Sequence, residues 1–488
     1  MEYKVITVNP ENVSPFNGGK FQGWGSSFCW WANRVGYNKT LCDEMARLFY
    51  SKEEGLGLNI VRYNIGGGDD PSHVHIKRTD SAMPGYWKAG SEGYEDGKYV
   101  WEYDWSRDEN QRNALAACMK KYGEGMIVEA FSNSPPYFMT QSGCTGGSVN
   151  PVENNLKRDA YAAFAKYMAD VALHFKEEWG IRFQSITPLN EPQLACWNAF
   201  SFKQEGCHFE QGESQSRIIV ELEKAMCANG FEDMIYCASD ETDIDIQIKS
   251  YNMLSPGAKS VVGRIDTHTY SGTGYYGLKK LAQDAGMNLW MSEVDGGVTA
   301  GTNAGEMGAA LFFAEKVVTD INGLTPSAWI MWQLVDNHVC KAGLNGIRDS
   351  GMVDPMGGYW GVAVADHDKE KIILTKKYYA YGQFTRYIRP GFTIIACSDN
   401  AAAAVDKNTG ELVIVAVNTE DKDTVRHFDL SGFESVGKNV RIIRTSGDME
   451  TGENWAELEP VETIGKSFRA VMKAYSVTTY ILDGVCVG

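Results

Sequence analysis

Eight short β-rich runs, each followed by a segment of helical periodicity, recur along this chain between residues 23 and 388. The strand runs are 23–32 (passing into an aromatic loop), 58–65, 126–131, 183–187, 234–238, 264–270, 289–293 and 328–334. Helical patterning fills 41–50, 106–122, 156–179, 213–229, 244–254, 276–285, 305–320 and 375–388. Strand–helix alternation lays parallel strands side by side with helices outside them, and eight repeats over roughly 370 residues predict a closed (β/α)8 barrel with insertions. After Arg389-Pro390-Gly391 the pattern changes to short strands parted by polar turns, at 393–396, 412–418, 440–444 and 475–482. The opening residues are also β-like. The expected fold class is therefore α/β: a (β/α)8 TIM barrel at 22–389 and a flanking β-sandwich side domain made from 1–21 plus 390–488.

Barrel chemistry takes place at the C-terminal ends of strands, so the residues that finish each run are the candidate site. The fourth run ends in Asn190-Glu191-Pro192 and the seventh in Ser292-Glu293. Pro192 removes a backbone donor and biases Glu191 toward an extended conformation. Two strand-end glutamates meet the need of glycoside hydrolysis for one proton-carrying and one nucleophilic or basic carboxyl group. Around them stand Arg62 and Asp69 after the second run, Asn133 after the third, His268 and Tyr270 on the sixth, and Trp332 on the eighth. Amides and carboxylates hydrogen-bond sugar hydroxyls, while aromatic rings stack on a sugar's apolar face. Trp24, Trp30 and Trp31 read equally as core or as binding surface, and Trp24 is carried among the candidate sugar contacts.

Composition narrows the partners. A net charge of −17 over 488 residues excludes nucleic acid or an anionic membrane as the main partner, since both require basic patches. The expected partner is a neutral oligo- or polysaccharide. No run reaches transmembrane length, and Met1-Glu2-Tyr3-Lys4-Val5 lacks the apolar core of a signal peptide, so the chain as written reads as cytoplasmic, or as secreted if a leader once preceded it. Eleven scattered cysteines without a C-x-x-C pair read as reduced, mostly buried thiols in preference to a disulfide frame or a zinc site. Gly66-Gly67-Gly68 precedes Asp-Asp-Pro and reads as a turn, not a phosphate cradle. His73 and His75 alternate in a loop and read as solvent-facing; the run from Asp240 to Asp245 lacks the glycine and closing glutamate of a calcium loop and reads as an acidic helix start. No cofactor is implied.

The motif set Gly23-Trp24-Gly25-Ser26-Ser27, Trp30-Trp31-Ala32, Arg62 to Gly67, Ser132 to Met139, Asn190-Glu191-Pro192 and Ser292-Glu293, in this order, resembles glycoside hydrolase family 30, most like its endo-β-1,6-galactanase-type branch. The resemblance implies a retaining enzyme with Glu191 as general acid/base and Glu293 as nucleophile. It also implies that Arg62 keeps the nucleophile ionised and Asn190 binds the 2-hydroxyl. Tyr270 would lie near the nucleophile, Asp69 would bind outer hydroxyls, and Trp332 would form a platform. Ser132 stands where the glucosylceramide-cleaving branch has tryptophan, which would leave room for the axial 4-hydroxyl of galactose. The expected activity is cleavage of β-1,6-linked galactosides. The alternatives are a family 30 hydrolase acting on β-glucosides, glucosylceramide, β-fucosides or xylan, and, less favoured, a non-catalytic carbohydrate-binding barrel. A Schiff-base aldolase is disfavoured because no strand end offers a lysine.

Overall fold

A computed structural model describes residues 4–77, 80–295, 307–344, 347–350 and 360–487. Its eight barrel strands are Gly23–Ser27, Ile60–Asn64, Ile127–Phe131, Ser185–Thr187, Ile235–Asp243, Val262–Ser271, Asn288–Val294 and Ala328–Met331, all parallel to their neighbours in one closed ring. Closure comes from the last strand pairing with the first, Ala328 opposite Gly23 and Met331 opposite Ser26. Strands such as Ile60–Asn64 and Ala328–Met331 are short and buried on both faces, which is why their runs read as continuous apolar segments and not as alternating ones. The predicted alternation is thus the observed one. The helix expected from residue 305 begins at Met307 among the described residues and runs to Leu324; residues 305 and 306 lie outside them.

The side domain is a β-sandwich of nine strands. Lys4–Val13 is its seam: it pairs antiparallel with Thr393–Cys397 and parallel with Thr424–Asp429, so the start of the chain is woven into the C-terminal unit. Glu411–Asn418 shows how the unit joins the barrel. Leu412, Ile414 and Ala416 point into the sandwich's own core, whereas Val413, Val415 and Val417 belong to the large core shared with the barrel helices. Successive strand residues face opposite sides, so a strand covered on both must be apolar throughout. The same division holds for the alanines of Ala401–Asp406, whose small side chains suit close packing on both faces.

Two features escaped the sequence pattern. Residues after the eighth barrel strand form a four-stranded sheet from Val335–Leu344, Ile347–Ser350, Ala363–Asp366 and Lys371–Leu374. The long loop after the second strand carries a hairpin, Gly93–Glu95 with Lys98–Val100. Gly66-Gly67-Gly68, expected as a turn, is irregular loop backbone in close approach to a neighbouring segment: a Cβ on Gly67 would stand 2.4 Å from the Pro135 carbonyl oxygen. No described helix is long and apolar enough to cross a membrane.

Candidate active site

The barrel's C-terminal mouth holds a cavity of about 290 Å3 with Glu191 and Glu293 in its wall, together with Asn190, Tyr270, Trp332 and Trp360. The two glutamates face each other across His268. Its Nδ1 lies 3.2 Å from Glu191 Oε1 and 3.6 Å from Glu293 Oε1. A carboxylate oxygen of each glutamate lies within 4.8 Å of one from the other.

Glu191 does not take the extended conformation expected before Pro192; its φ is +47°, in the left-handed region. Tertiary hydrogen bonds override the local preference. Its N–H donates to the Asp240 carbonyl over 2.8 Å, and its own carbonyl accepts from Trp197 Nε1 at 2.8 Å. Asp240 is itself left-handed, with φ +61°. Two non-glycine residues in this region, joined by one hydrogen bond, are local strain held by the surrounding structure.

Glu293 is set differently. Its Oε2 accepts from Arg62 Nη1 at 2.9 Å and its Oε1 from the Tyr270 hydroxyl at 3.1 Å. Arg62 is fully buried, and the rest of its fork holds Glu129 through Nε at 3.1 Å and Asp240 through Nη2. Its guanidinium also sits 4.1 Å from the centre of the Phe131 ring. Asp240 bridges the two halves of the site, because its other oxygen lies 3.1 Å from His268 Nε2 and accepts from Ser292.

Charge follows from this arrangement. Burial pushes the Glu293 carboxyl up to about 7, against the pull of the His268 and Arg62 cations, while Glu191 adds repulsion. Burial also opposes ionisation of Asp240, yet Arg62 and His268 draw it down to about 2. For His268 burial disfavours the cation, but Glu293 and Asp240 outweigh it and raise the ring to about 10. The site is therefore a carboxylate-rich cluster compensated by buried cations, Arg62 and His268 beside the glutamates and Arg264 at Glu129. Glu191, His268 and Glu293 each bring a donor atom within 4.8 Å of the others, close enough to hold a metal ion.

Of the remaining candidates, Asn190 and Trp332 reach the cavity; the Asn190 Oδ1 is buried with no partner in the protein, an acceptor available to a ligand hydroxyl. Three candidates are not brought there. Trp24 is fully buried beneath the barrel wall, its indole donating to the Ile388 carbonyl at 2.7 Å and its ring packed on Phe21, Trp329 and Tyr381. Its place on a strand that is buried on both faces makes it core, not a sugar contact. Asn133 is buried and donates to Cys29 Sγ at 3.6 Å. Asp69 lines a neighbouring cavity, where its carboxylate meets His73 and His75, so that histidine pair is partnered and not simply solvent-facing. The acidic helix start is present: Asp243 accepts from Asp245 and Ile246 backbone N–H groups at the head of Ile244–Met253. Asp240 and Glu129 are the functional residues the sequence reading missed. Asp240 sits in that acidic run and Glu129 ends no strand, so neither carried a separate signal.

Residues 17–243 match the model of O-glycosyl hydrolase family 30. The chain is 29% identical to an endo-β-1,6-galactanase of Hypocrea rufa, across 99% of this chain and 95% of that protein. It is 26% identical to an exo-β-1,6-galactobiohydrolase of Bifidobacterium longum subsp. longum, across 89% of this chain and 36% of that longer protein. The catalytic domain of a family 30 xylanase C from Talaromyces cellulolyticus shares the fold, with a TM-score of 0.68 at 16% identity, covering 98% and 100% of the two chains.

Proposed function

We propose that this chain is a family 30 glycoside hydrolase that cleaves β-1,6-linked galactosides with retention of anomeric configuration. The observation that carries the mechanism is the close approach of the two glutamates, oxygen to oxygen within 4.8 Å. Retaining sites hold their carboxyl groups about 5–5.5 Å apart, whereas inverting sites need roughly 6.5–9.5 Å to seat a water between them. The asymmetry of donors supports the roles. Glu293, with Arg62 and Tyr270 hydrogen-bonded to it, has the donors that oppose its burial and is the nucleophile; Glu191, which no arginine touches, is the general acid/base.

In the first step Glu293 attacks the anomeric carbon, the glycosidic C–O bond breaks, and Glu191 gives its proton to the leaving oxygen. In the second, Glu191 takes a proton from water, whose oxygen attacks the same carbon and frees Glu293. Asn190 hydrogen-bonds the 2-hydroxyl and Trp332 supports the ring. The catalytic unit is 22–389, with 1–21 and 390–488 as its side domain. Galactoside preference is supported by the two β-1,6-galactan-acting relatives and by the small Ser132.

The test is a product-resolved digest of β-1,6-galactan and β-1,6-galactobiose by wild type and Glu293→Gln, with the first-formed anomer read by NMR. Short β-galactosides from wild type alone support the reading. An α-anomer as first product overturns retention, and cleavage of glucosides, fucosides or xylan in place of galactosides overturns the substrate.

A further inference from the structure

Asp69, carried by the loop after the second barrel strand, stands beside groups that a sugar contact does not require. Its Oδ2 lies 3.3 Å from His75 Nε2 and 3.2 Å from His73 Nδ1. His75 Nε2 is in turn 3.8 Å from the sulfur of Cys144, on the loop after the third strand. One donor atom each from Asp69, His75 and Cys144 lies within 4.8 Å of the others. In a tetrahedral zinc site with bonds of about 2.0–2.2 Å to N and O and about 2.3 Å to S, neighbouring donors stand roughly 3.3 Å apart for N and O and roughly 3.6 Å apart for N and S. The Asp69–His75 edge of 3.3 Å matches that spacing, and the His75–Cys144 edge of 3.8 Å is slightly longer.

The sulfur's surroundings hold it in place. Cys144 is buried, and its Sγ accepts backbone N–H groups from Gly146 at 3.2 Å and Phe200 at 3.1 Å. Burial pushes the Cys144 thiol up, and the two amide donors aimed at the sulfur oppose that in part while fixing its position. The site can be entered, since the side chains of Asp69 and His75 keep 16% and 13% of their surface exposed. The geometry points to a Zn2+ site formed by Asp69 Oδ2, His75 Nε2 and Cys144 Sγ. Binding displaces the thiol proton to solvent, so loading one ion releases one proton from Cys144.

Such an ion clips together three loops at the edge of the catalytic cleft. Asp69 and His75 come from one, Cys144 from the next, and Phe200, from the loop after the fourth strand, both donates to the sulfur and rests its ring edge-on against the two imidazoles at 5.1 and 5.4 Å. That last loop carries Trp197, which holds the Glu191 carbonyl. The site is thus structural and lies outside the carboxylate pair, and it assigns Asp69 a role other than hydroxyl binding.

The test uses the full chain freed of any polyhistidine tag, stripped with chelator, reloaded with ZnSO4 and desalted, with metal measured by mass spectrometry. Wild type is expected to retain one zinc per chain and to melt higher with zinc than after stripping. Cys144→Ser and His75→Gln are expected to lose both the ion and the thermal shift. Cobalt-loaded wild type should show thiolate-to-metal charge-transfer absorption, a readout that stands even if a variant does not fold. Zinc retained equally by wild type and Cys144→Ser, or cobalt bound with no thiolate band, overturns the site.

Discussion

Arg62 binds Glu293 end-on: Nη1 donates to Oε2 over 2.9 Å, while the remaining nitrogens of the same guanidinium are committed to Glu129 and Asp240. One cation therefore fixes Glu293, the proposed nucleophile, and helps compensate two other buried carboxylates. Arg62→Met should lower kcat/KM by roughly 10²–10³-fold, through loss of a preorganised donor, and should cost up to about 3–5 kcal/mol of stability, because three buried carboxylates then share only His268 and Arg264. Arg62→Lys keeps the charge without the fork, and should fall between the two in urea unfolding. A Met variant as stable as wild type would show that the carboxylates find compensation elsewhere.

Burial holds the Glu293 carboxyl near 7 in the folded chain, above its unfolded value, with consequences for both rate and stability. Attack needs the carboxylate, so kcat/KM should rise as pH climbs and level off above about 7, measured with a neutral aryl galactoside. Stability moves the other way. A carboxyl raised on folding costs nothing below its unfolded pKa, and the cost accumulates as pH rises from there to the folded value. Glu293→Gln removes that cost. It should abolish turnover yet melt above wild type at pH 8, with the gain shrinking toward pH 5; a constant difference across that range would mean that Glu293 ionisation is not the source.

The strand-end rule made Glu191, Glu293, Arg62, Asn190, Tyr270 and Trp332 legible, because in a barrel the end of each strand lies at the mouth whatever the loops do. Where a residue's role depends on the direction of a side chain or on distant partners, the sequence carried no such rule. Trp24 stands beside the same motif as Ser27 but faces the helices, a choice made by packing against Phe21 and Tyr381. Asp69 follows Arg62 closely in sequence, yet its loop turns it toward His75. Asp240 looked like part of an acidic helix start, and only the pairing of its strand with the one bearing His268 reveals it as the bridge between Arg62 and that histidine.

Tyr270 donates to Glu293 Oε1 at 3.1 Å, and a hydrogen bond to the ionised form lowers a carboxyl's pKa. Tyr270→Phe removes that bond and little volume. The expected result is a fall in kcat/KM of about ten- to a hundredfold, matching the roughly 1.5–3 kcal/mol of a hydrogen bond to a charged group. The acidic limb of the pH profile should also move to higher pH, because Glu293 loses one of the donors that oppose its burial. A drop in rate with an unmoved limb would assign Tyr270 to the substrate and not to the nucleophile.

Trp24 and Trp332 give opposite expectations from the same residue type. Trp24 is fully enclosed, so Trp24→Ala should cost about 3–5 kcal/mol in chemical unfolding while KM for a short galactoside stays unchanged in the protein that remains folded. Trp332 lines the cavity and meets Trp30 edge-on at 4.8 Å. Its replacement by alanine removes a platform that binds sugar alike in the ground state and the transition state, and such uniform binding appears in KM alone. Trp332→Ala should therefore raise KM by roughly fivefold or more with kcat nearly intact, the stacking of one aromatic ring being worth about 1 kcal/mol or more. A fall in kcat with KM unmoved would instead place Trp332 in contact with the transition state through its orientation of the reacting ring.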